Sequence, residues 1–290
     1  MHSFSKKLAS LFHANRADAT PSGTATPIKA SDESGSDDLA LYDAVLSGWY
    51  RNATNEVFRG IPIGPEDVVA DIGCGSGGSS LFCARRGAYV TAIDQDPQTS
   101  AAIKSKLAEL APQSHAALVA DAHRLPLVDE SATRILCTEV LEHADDPSLV
   151  LKELFRIGKP GALYLLSVPG YLQENLQKQI APPIYFQKPN HVRIFTEQAF
   201  ADAVSDAGLV IEERAQCGFY HSIWLALFWA CEVDLSHPDH PALHHWTETW
   251  RAVLGTRSGL ALKKQLDAFL PRSQVIVARK PPSLPLTHSL

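Results

Sequence analysis

No stretch of this 290-residue chain approaches the roughly 18 apolar residues that a membrane-spanning helix needs. Basic residues are not in surplus: 26 Lys and Arg face 32 Asp and Glu, giving a formal net charge of −6 and a pI near 6.0. A charge-driven nucleic-acid binder needs the opposite balance, so no nucleic-acid partner is expected. The N-terminal stretch lacks the apolar h-region of a secretory signal, which predicts a cytoplasmic protein. The five cysteines (Cys74, Cys83, Cys137, Cys217 and Cys231) are odd in number and form no Cys-x-x-Cys pair. Scattered thiols suit a reducing compartment and argue against a disulfide framework or a zinc knuckle. Internal repeats are also lacking. What remains is ordinary globular composition, 45% hydrophobic and 20% charged with a mean hydropathy of −0.07. That is enough apolar material for a sizeable core, in two domains or in one large α/β domain.

Residues 1–38 and 39–290 read differently. Residues 18–38 are rich in Ser, Thr, Pro, Gly, Asp and Ala and close on the acidic run Asp32–Asp38. Such a segment cannot bury enough apolar area to offset its ordering entropy, so it reads as a disordered linker. Ahead of it, Phe4, Leu8, Leu11 and Phe12 fall at helical spacing beside Lys6, Lys7 and Arg16. An amphipathic helix over residues 1–16 making weak contact with an anionic membrane surface, at its inner face, or with a partner is one reading. A frayed terminus is the other, and it is favoured because short isolated helices are marginal in water.

From residue 39 the pattern is regular. Leu39–Phe58 has helical character, and strands are predicted at Val68–Ile72, Tyr89–Ile93, Ala117–Ala120, Thr133–Thr138, Ala162–Val168, Leu209–Arg214 and Gln274–Ala278. Helices are predicted at Gly77–Arg86, Pro97–Leu110, Pro147–Ile157 and Thr196–Ala207. This alternation implies a doubly wound α/β fold, a seven-stranded and mostly parallel sheet covered on both faces. Residues 217–272 are too long for a hairpin connection and include the apolar run Ile223–Ala230. They are read as a helical cap inserted before the last strand, over the site.

The strongest motif is Asp71-Ile72-Gly73-Cys74-Gly75-Ser76-Gly77-Gly78, between a strand and a helix. Glycines let the backbone turn sharply and approach a ligand closely, with a helix N-terminus just beyond. Gly73, Gly75 and Gly78 satisfy the dinucleotide fingerprint, and Asp94 stands where a ribose-binding acid belongs. An NAD-dependent oxidoreductase is therefore a live alternative. Asp71 opposes it, because a carboxylate beside a pyrophosphate repels it, whereas the ammonium and sulfonium of S-adenosylmethionine are attracted.

The segment Asp71–Gly77 resembles motif I of the class I S-adenosylmethionine-dependent methyltransferases, and the likeness runs through most of residues 39–216. Asp94, Gln95 and Asp96 look like the acidic turn that holds the ribose in that family. Asp121 and the Ala122 backbone, in Asp121–Leu127, look like the adenine-reading stretch. Glu139-Val140-Leu141-Glu142-His143, Lys159–Ala162 and Asn190–Thr196 follow in the family's order. The resemblance implies S-adenosylmethionine held by Asp71, Gly73, Cys74, Gly75, Gly77, Asp94, Gln95, Asp121, Ala122 and Glu139. It is nearest to the ubiquinone-pathway group and implies O-methylation of a small-molecule or a lipid- or glycan-linked acceptor. N- or C-methylation, and a non-catalytic binding module, remain alternatives. Such a transfer asks the protein to align a nucleophile and to exclude water, with a base where the acceptor is a hydroxyl. His143, after the fourth strand, and His191, in a loop on the same side, are the catalytic candidates. Glu139, Glu142 and His143 resemble metal ligands of some members, yet a pocket-lining role is favoured and no metal is expected. His237–His245 matches no zinc signature and reads as solvated surface, and the insertion's tryptophans read as cap core.

Overall fold

The computed structural model describes residues 36–111 and 114–282. The segment around Phe4–Phe12 and residues 18–35 lie outside the described residues. Helix α1 (Ser36–Leu46) opens the fold, so the last three residues of the acidic run are helical rather than linker. The expected continuation of this helix to Phe58 fails at Gly48, whose φ of +107° ends it. Three short antiparallel strands follow instead, β1 (Trp49–Arg51), β2 (Glu56–Phe58) and β3 (Ile61–Pro62). Trp49 and Tyr50 mimic a helical stripe in sequence but are buried from a strand, Trp49 edge-on to Phe58 at 5.0 Å.

The main sheet comprises β4 (Val68–Ile72), β5 (Tyr89–Asp94), β6 (His115–Val119), β7 (Ala132–Thr138), β8 (Gly158–Pro169), β9 (Val210–Cys217) and β10 (Ser273–Arg279). Its order is β6-β5-β4-β7-β8-β10-β9, and β10 alone runs antiparallel to its neighbours. The seven-stranded, mostly parallel sheet predicted from the alternation is the one observed. Helices α2 (Gly78–Ala84), α3 (Pro97–Leu110), α4 (Pro147–Ile157) and α6 (Glu197–Asp206) cover it, and α5 (Tyr171–Ile180) follows the carboxyl end of β8. The bounds of α3 and α4 match the prediction because each begins with Asp-Pro. Asp96 accepts from Thr99 N at 2.9 Å and Asp146 from Ser148 N at 2.9 Å, with proline at the first helical position.

One apolar core lies on each face of the sheet, around Val69, Leu136 and Leu165 on one side and Ile135, Leu166 and Phe200 on the other. Residues 217–272 carry α7 (Phe219–Ala230), α8 (Pro241–Leu254) and α9 (Gly259–Phe269). Trp224, Trp229 and Trp250 form a third core there with Leu39 of α1 and Tyr185. A buried charge cluster fastens these helices to α1. Lys263 Nζ lies 3.0 Å from Asp43 Oδ1 and 2.8 Å from Asp267 Oδ2, Trp250 donates to Asp43, and Phe219 N donates to Asp267. His244 and Asp239 pair on the exposed surface, and His240 caps α8. Among the described residues no helix is long and apolar enough to cross a membrane.

Candidate active site

The glycine loop leaves β4 with Gly73 N and Cys74 N both donating to Ile93 O, at 2.8 and 3.0 Å. Gly73, Gly75 and Gly77 all take positive φ, but for different reasons. A Cβ on Gly73 would lie 2.3 Å from Val140, and one on Gly77 1.9 Å from Ile103. Those two glycines are demanded by packing. A Cβ on Gly75 would meet nothing nearer than the loop's own Gly73 carbonyl at 4.0 Å, so this glycine faces open space. Asp94, at the end of β5, accepts from Gly75 N at 3.1 Å and from Asp96 N at 2.9 Å, bracing the loop it faces. Burial raises its pKa above the usual carboxylate range.

Two cavities flank this loop at the carboxyl ends of the parallel strands, where ligands of open α/β sheets sit. The first, open to solvent, is lined by Gly73, Gly75, Asp94, Gln95, Asp121, Ala122, Glu139 and His143, among others. The second has Asp71, Gly73 and Cys74 on its floor. Its walls come from α1, from Trp49 and Tyr50, and from Gly218, His221 and Arg272 of the 217–272 segment. The cavities share Gly73, Thr138 and Glu139. Of the predicted cofactor residues, Gly77 lines neither.

Asp71 is 2% exposed and accepts from Ser80 Oγ at 2.6 Å. Burial pushes its pKa up to about 6, against the Ser80 hydrogen bond, with Asp94 adding to the rise. Asp121 is exposed and pairs with His123 at 2.6 Å.

Glu139 and Glu142 part company. Glu139, at φ +57°, pairs with Arg272 at 2.8 Å and accepts from Ser167 Oγ at 3.0 Å. Glu142 turns inward: its carboxylate is buried, and neither oxygen has a hydrogen-bond partner among the described residues. Burial, and then the Glu139 charge, raise its pKa well above the usual range. An oxygen of Glu142 and one ring nitrogen each of His143 and His191 lie within 4.8 Å of one another. His143 lines the first cavity, with its Nδ1 3.1 Å from Pro189 O and its Nε2 3.7 Å from Glu142 Oε1. Burial, then His191, hold its pKa down at about 4, opposite to the rise a neighbouring carboxylate would cause. His191 is buried and lines neither cavity, and its Nδ1 lies 2.7 Å from Glu174 Oε2.

Sequence reading missed Arg272, Ser47, Tyr50, His221 and Glu174. None sits in a motif. Arg272 marks the entry to β10, His221 and Glu174 lie on helices outside the shared pattern, and only the fold brings them to the site.

Residues 70–166 match a family model described as a methyltransferase domain. Over 100 residues the sequence is 32% identical to the ubiquinone biosynthesis O-methyltransferase of Aeromonas salmonicida, covering 34% of this chain and 42% of that protein. The chain thus spans about two-fifths of that curated relative's length. Among solved structures, the cyclase SpnF is similar with a TM-score of 0.59 and 17% identity, over 97% of this chain and 95% of that one. Geranyl diphosphate methyltransferase in complex with S-adenosylmethionine is similar at 0.53 and 16% identity, over 76% and 80% of the two chains. These likenesses speak for fold alone, which the sheet order already gives. In its matched segment, residues 70–166, and in its sheet order the chain resembles the class I S-adenosylmethionine-dependent methyltransferases.

Proposed function

We propose that the chain transfers a methyl group from S-adenosylmethionine to a hydroxyl of a small-molecule or a lipid- or glycan-linked acceptor. The observation that carries this reading is the pair of cavities meeting at Gly73, Thr138 and Glu139, at the carboxyl ends of the parallel strands. The first would take the adenosine, with the ribose hydroxyls on Asp94 and the adenine edge at Asp121 and Ala122. The amino-acid end would cross Gly75 toward Cys74 and Asp71, whose carboxylate compensates positive charge. The second cavity, half apolar through Ala44, Trp49 and Tyr50, would take the acceptor.

When bound, the cofactor supplies an electrophilic methyl on a sulfonium centre. The chain's own work is alignment and exclusion of water by the α1, β1 and α7 walls. Arg272 fixes the Glu139 carboxylate at the shared wall. For His143, neutral above about pH 4, to take the acceptor's proton as a weak base, the acceptor's hydroxyl must reach past the shared wall at Thr138 and Glu139 into the first cavity, which His143 lines with His191 behind it. Alignment therefore carries most of the rate. The O-methyltransferase names of the ubiquinone-pathway and malonyl carrier-protein relatives support oxygen as the nucleophile.

A second reading adds a divalent ion, favoured by the buried Glu142 carboxylate with no hydrogen-bond partner among the described residues. Glu142, His143 and His191 would hold it, one oxygen and two imidazole nitrogens suiting such an ion. It would supply Lewis acidity to the acceptor oxygen.

The test is transfer of labelled methyl from S-adenosylmethionine into small-molecule, lipid and glycan fractions of the host cell. Alkali-stable methyl ether label in one fraction is expected, and alkali-labile label would mark a carboxylate acceptor instead of a hydroxyl. Label on nitrogen or carbon would replace the O-methyl reading, and no label with tight cofactor binding would favour a binding module. Loss of transfer after chelation, restored by added magnesium or zinc, would select the metal reading.

A further inference from the structure

Helix α5 is seated inside out. It buries Gln173, Glu174 and Gln177, and it leaves Tyr171, Leu172 and Leu176 exposed at 42%, 53% and 36%. Hydrophobic burial alone would turn such a helix the other way. Something on the polar face must hold it, and elements that break a local rule of this kind cluster at functional sites. The amides of Gln173 and Gln177 have no hydrogen-bond partner among the described residues, so they do not hold the helix. Glu174 does have partners. Its Oε2 lies 2.7 Å from His191 Nδ1, and its Oε1 accepts from Tyr185 OH at 3.4 Å. Glu174 and the His191 ring are both buried.

We propose that Glu174 is a positioning residue: by accepting the Nδ1 proton of His191 it fixes the ring's tautomer and aims a bare Nε2 lone pair at Glu142 and His143. The geometry leaves little choice of nitrogen. An ionised carboxylate only accepts, so the 2.7 Å contact puts the proton on Nδ1. His143 is oriented in parallel, its Nδ1 committed to Pro189 O at 3.1 Å. With both Nδ1 atoms engaged, the nitrogens left for the space within 4.8 Å of Glu142 are the two Nε2 atoms. His191 is also clamped by Tyr185, at 4.6 Å between ring centroids, and stands edge-on to His143 at 4.9 Å. A carboxylate–imidazole pair of this kind fixes the tautomer and stops the ring from rotating. It serves proton handling and metal ligation alike. The hydrogen bond stands apart from the proposed function, and only the consequence for turnover rests on that reading.

The test is nitrogen NMR of the full chain labelled at histidine, with His191→Gln to identify the His191 signals. The wild type should show His191 as the Nδ1–H tautomer. Glu174→Gln should keep it, since the amide oxygen accepts the same proton. Glu174→Met should convert His191 largely to the Nε2–H tautomer. Labelled-methyl transfer into host-cell extract should fall roughly 10–100-fold in Glu174→Met and recover to within about fivefold in Glu174→Gln. Affinity for S-adenosylhomocysteine, measured by calorimetry, should hold in both, because Glu174 lines neither cavity. A wild-type Nε2–H tautomer, or an unchanged Nδ1–H signal in folded Glu174→Met, overturns the proposal. Equal turnover losses in the Met and Gln variants would reduce Glu174 to a structural partner. Should the wild type transfer no label at all, the proposed function fails while the NMR result still decides the role of Glu174.

Discussion

Replacing Gly75 by alanine separates a cofactor cradle from an ordinary tight turn. At Gly73 or Gly77 an added Cβ collides with Val140 or Ile103, so those variants lose stability whatever they bind. At Gly75 the nearest atom is 4.0 Å away, and the protein itself does not resist the methyl group. The folding cost reduces to placing a non-glycine residue at φ +52°, about 1–2 kcal/mol. For a domain of this size that lowers Tm by roughly 2–8 °C. Binding should suffer far more, because the methyl group occupies the path along which a ligand crosses the loop. A displacement that forfeits two hydrogen bonds to the loop costs about 2.7 kcal/mol, or roughly 100-fold in affinity. Calorimetric titration with S-adenosylhomocysteine, beside urea unfolding of the same samples, reads both numbers. Affinity within threefold of wild type in a folded Gly75→Ala protein would refute the cradle. A matching loss in Gly77→Ala, after correction for its unfolded fraction, would show the effect to be loop distortion.

Asp94→Ala should weaken S-adenosylhomocysteine by about 1.5–3 kcal/mol, roughly 10–150-fold, part of it through the lost brace on Gly75 N; a loss below twofold would mean the ribose is held elsewhere. Asp71, pushed up to about 6 from an ordinary 3.8, keeps a proton between about pH 4 and 6 that the unfolded chain has released, so its contribution to stability falls as pH rises through that window. His143 works oppositely: lowered to about 4 from 6.5, it contributes stability that rises with pH over the same range. Urea unfolding of Asp71→Asn should therefore show a steeper rise in stability from pH 4 to 6 than the wild type. At pH 7 the variant should gain up to about 3 kcal/mol while binding S-adenosylmethionine less well; an unchanged pH profile would contradict the buried carboxyl. Lys263→Met leaves Asp43 and Asp267 buried without their cation and should cost roughly 3–5 kcal/mol in urea unfolding, whereas a neutral result would show that the cluster does not clamp α1 to α9.

The sheet and most of its helices were legible because their signals are local. Asp96-Pro97 and Asp146-Pro147 carry their own caps, and apolar runs such as Val68–Ile72 belong to strands buried on both faces. Trp49 and Tyr50 misled for a physical reason, since two adjacent aromatics satisfy a helical stripe and a strand alike until Gly48 is seen to break the helix. Helix α5 carries an amphipathic pattern, Leu172, Leu176 and Ile180 at i, i+4 and i+8, that sequence reading missed, and that pattern taken alone would have turned its buried face the wrong way. At the site, the residues that face the first cavity were found from one strand–loop–helix unit and the strand ends beside it. Arg272, His221 and Glu174 come from remote segments, and their roles depend on which side chains the cap and the β10 entry bring together. Gly77 shows the converse, because a motif position can serve packing against Ile103 instead of a ligand.

The most direct measurement is a crystal structure of the full chain grown with S-adenosylhomocysteine. The account predicts the ribose hydroxyls on Asp94, the adenine beside Asp121 and Ala122, and the backbone of Gly75 against the amino-acid chain. The sulfur should face the wall shared by the two cavities at Glu139. Ligand lying in the second cavity with Asp94 untouched, or none bound at millimolar concentration while NAD binds, would contradict it.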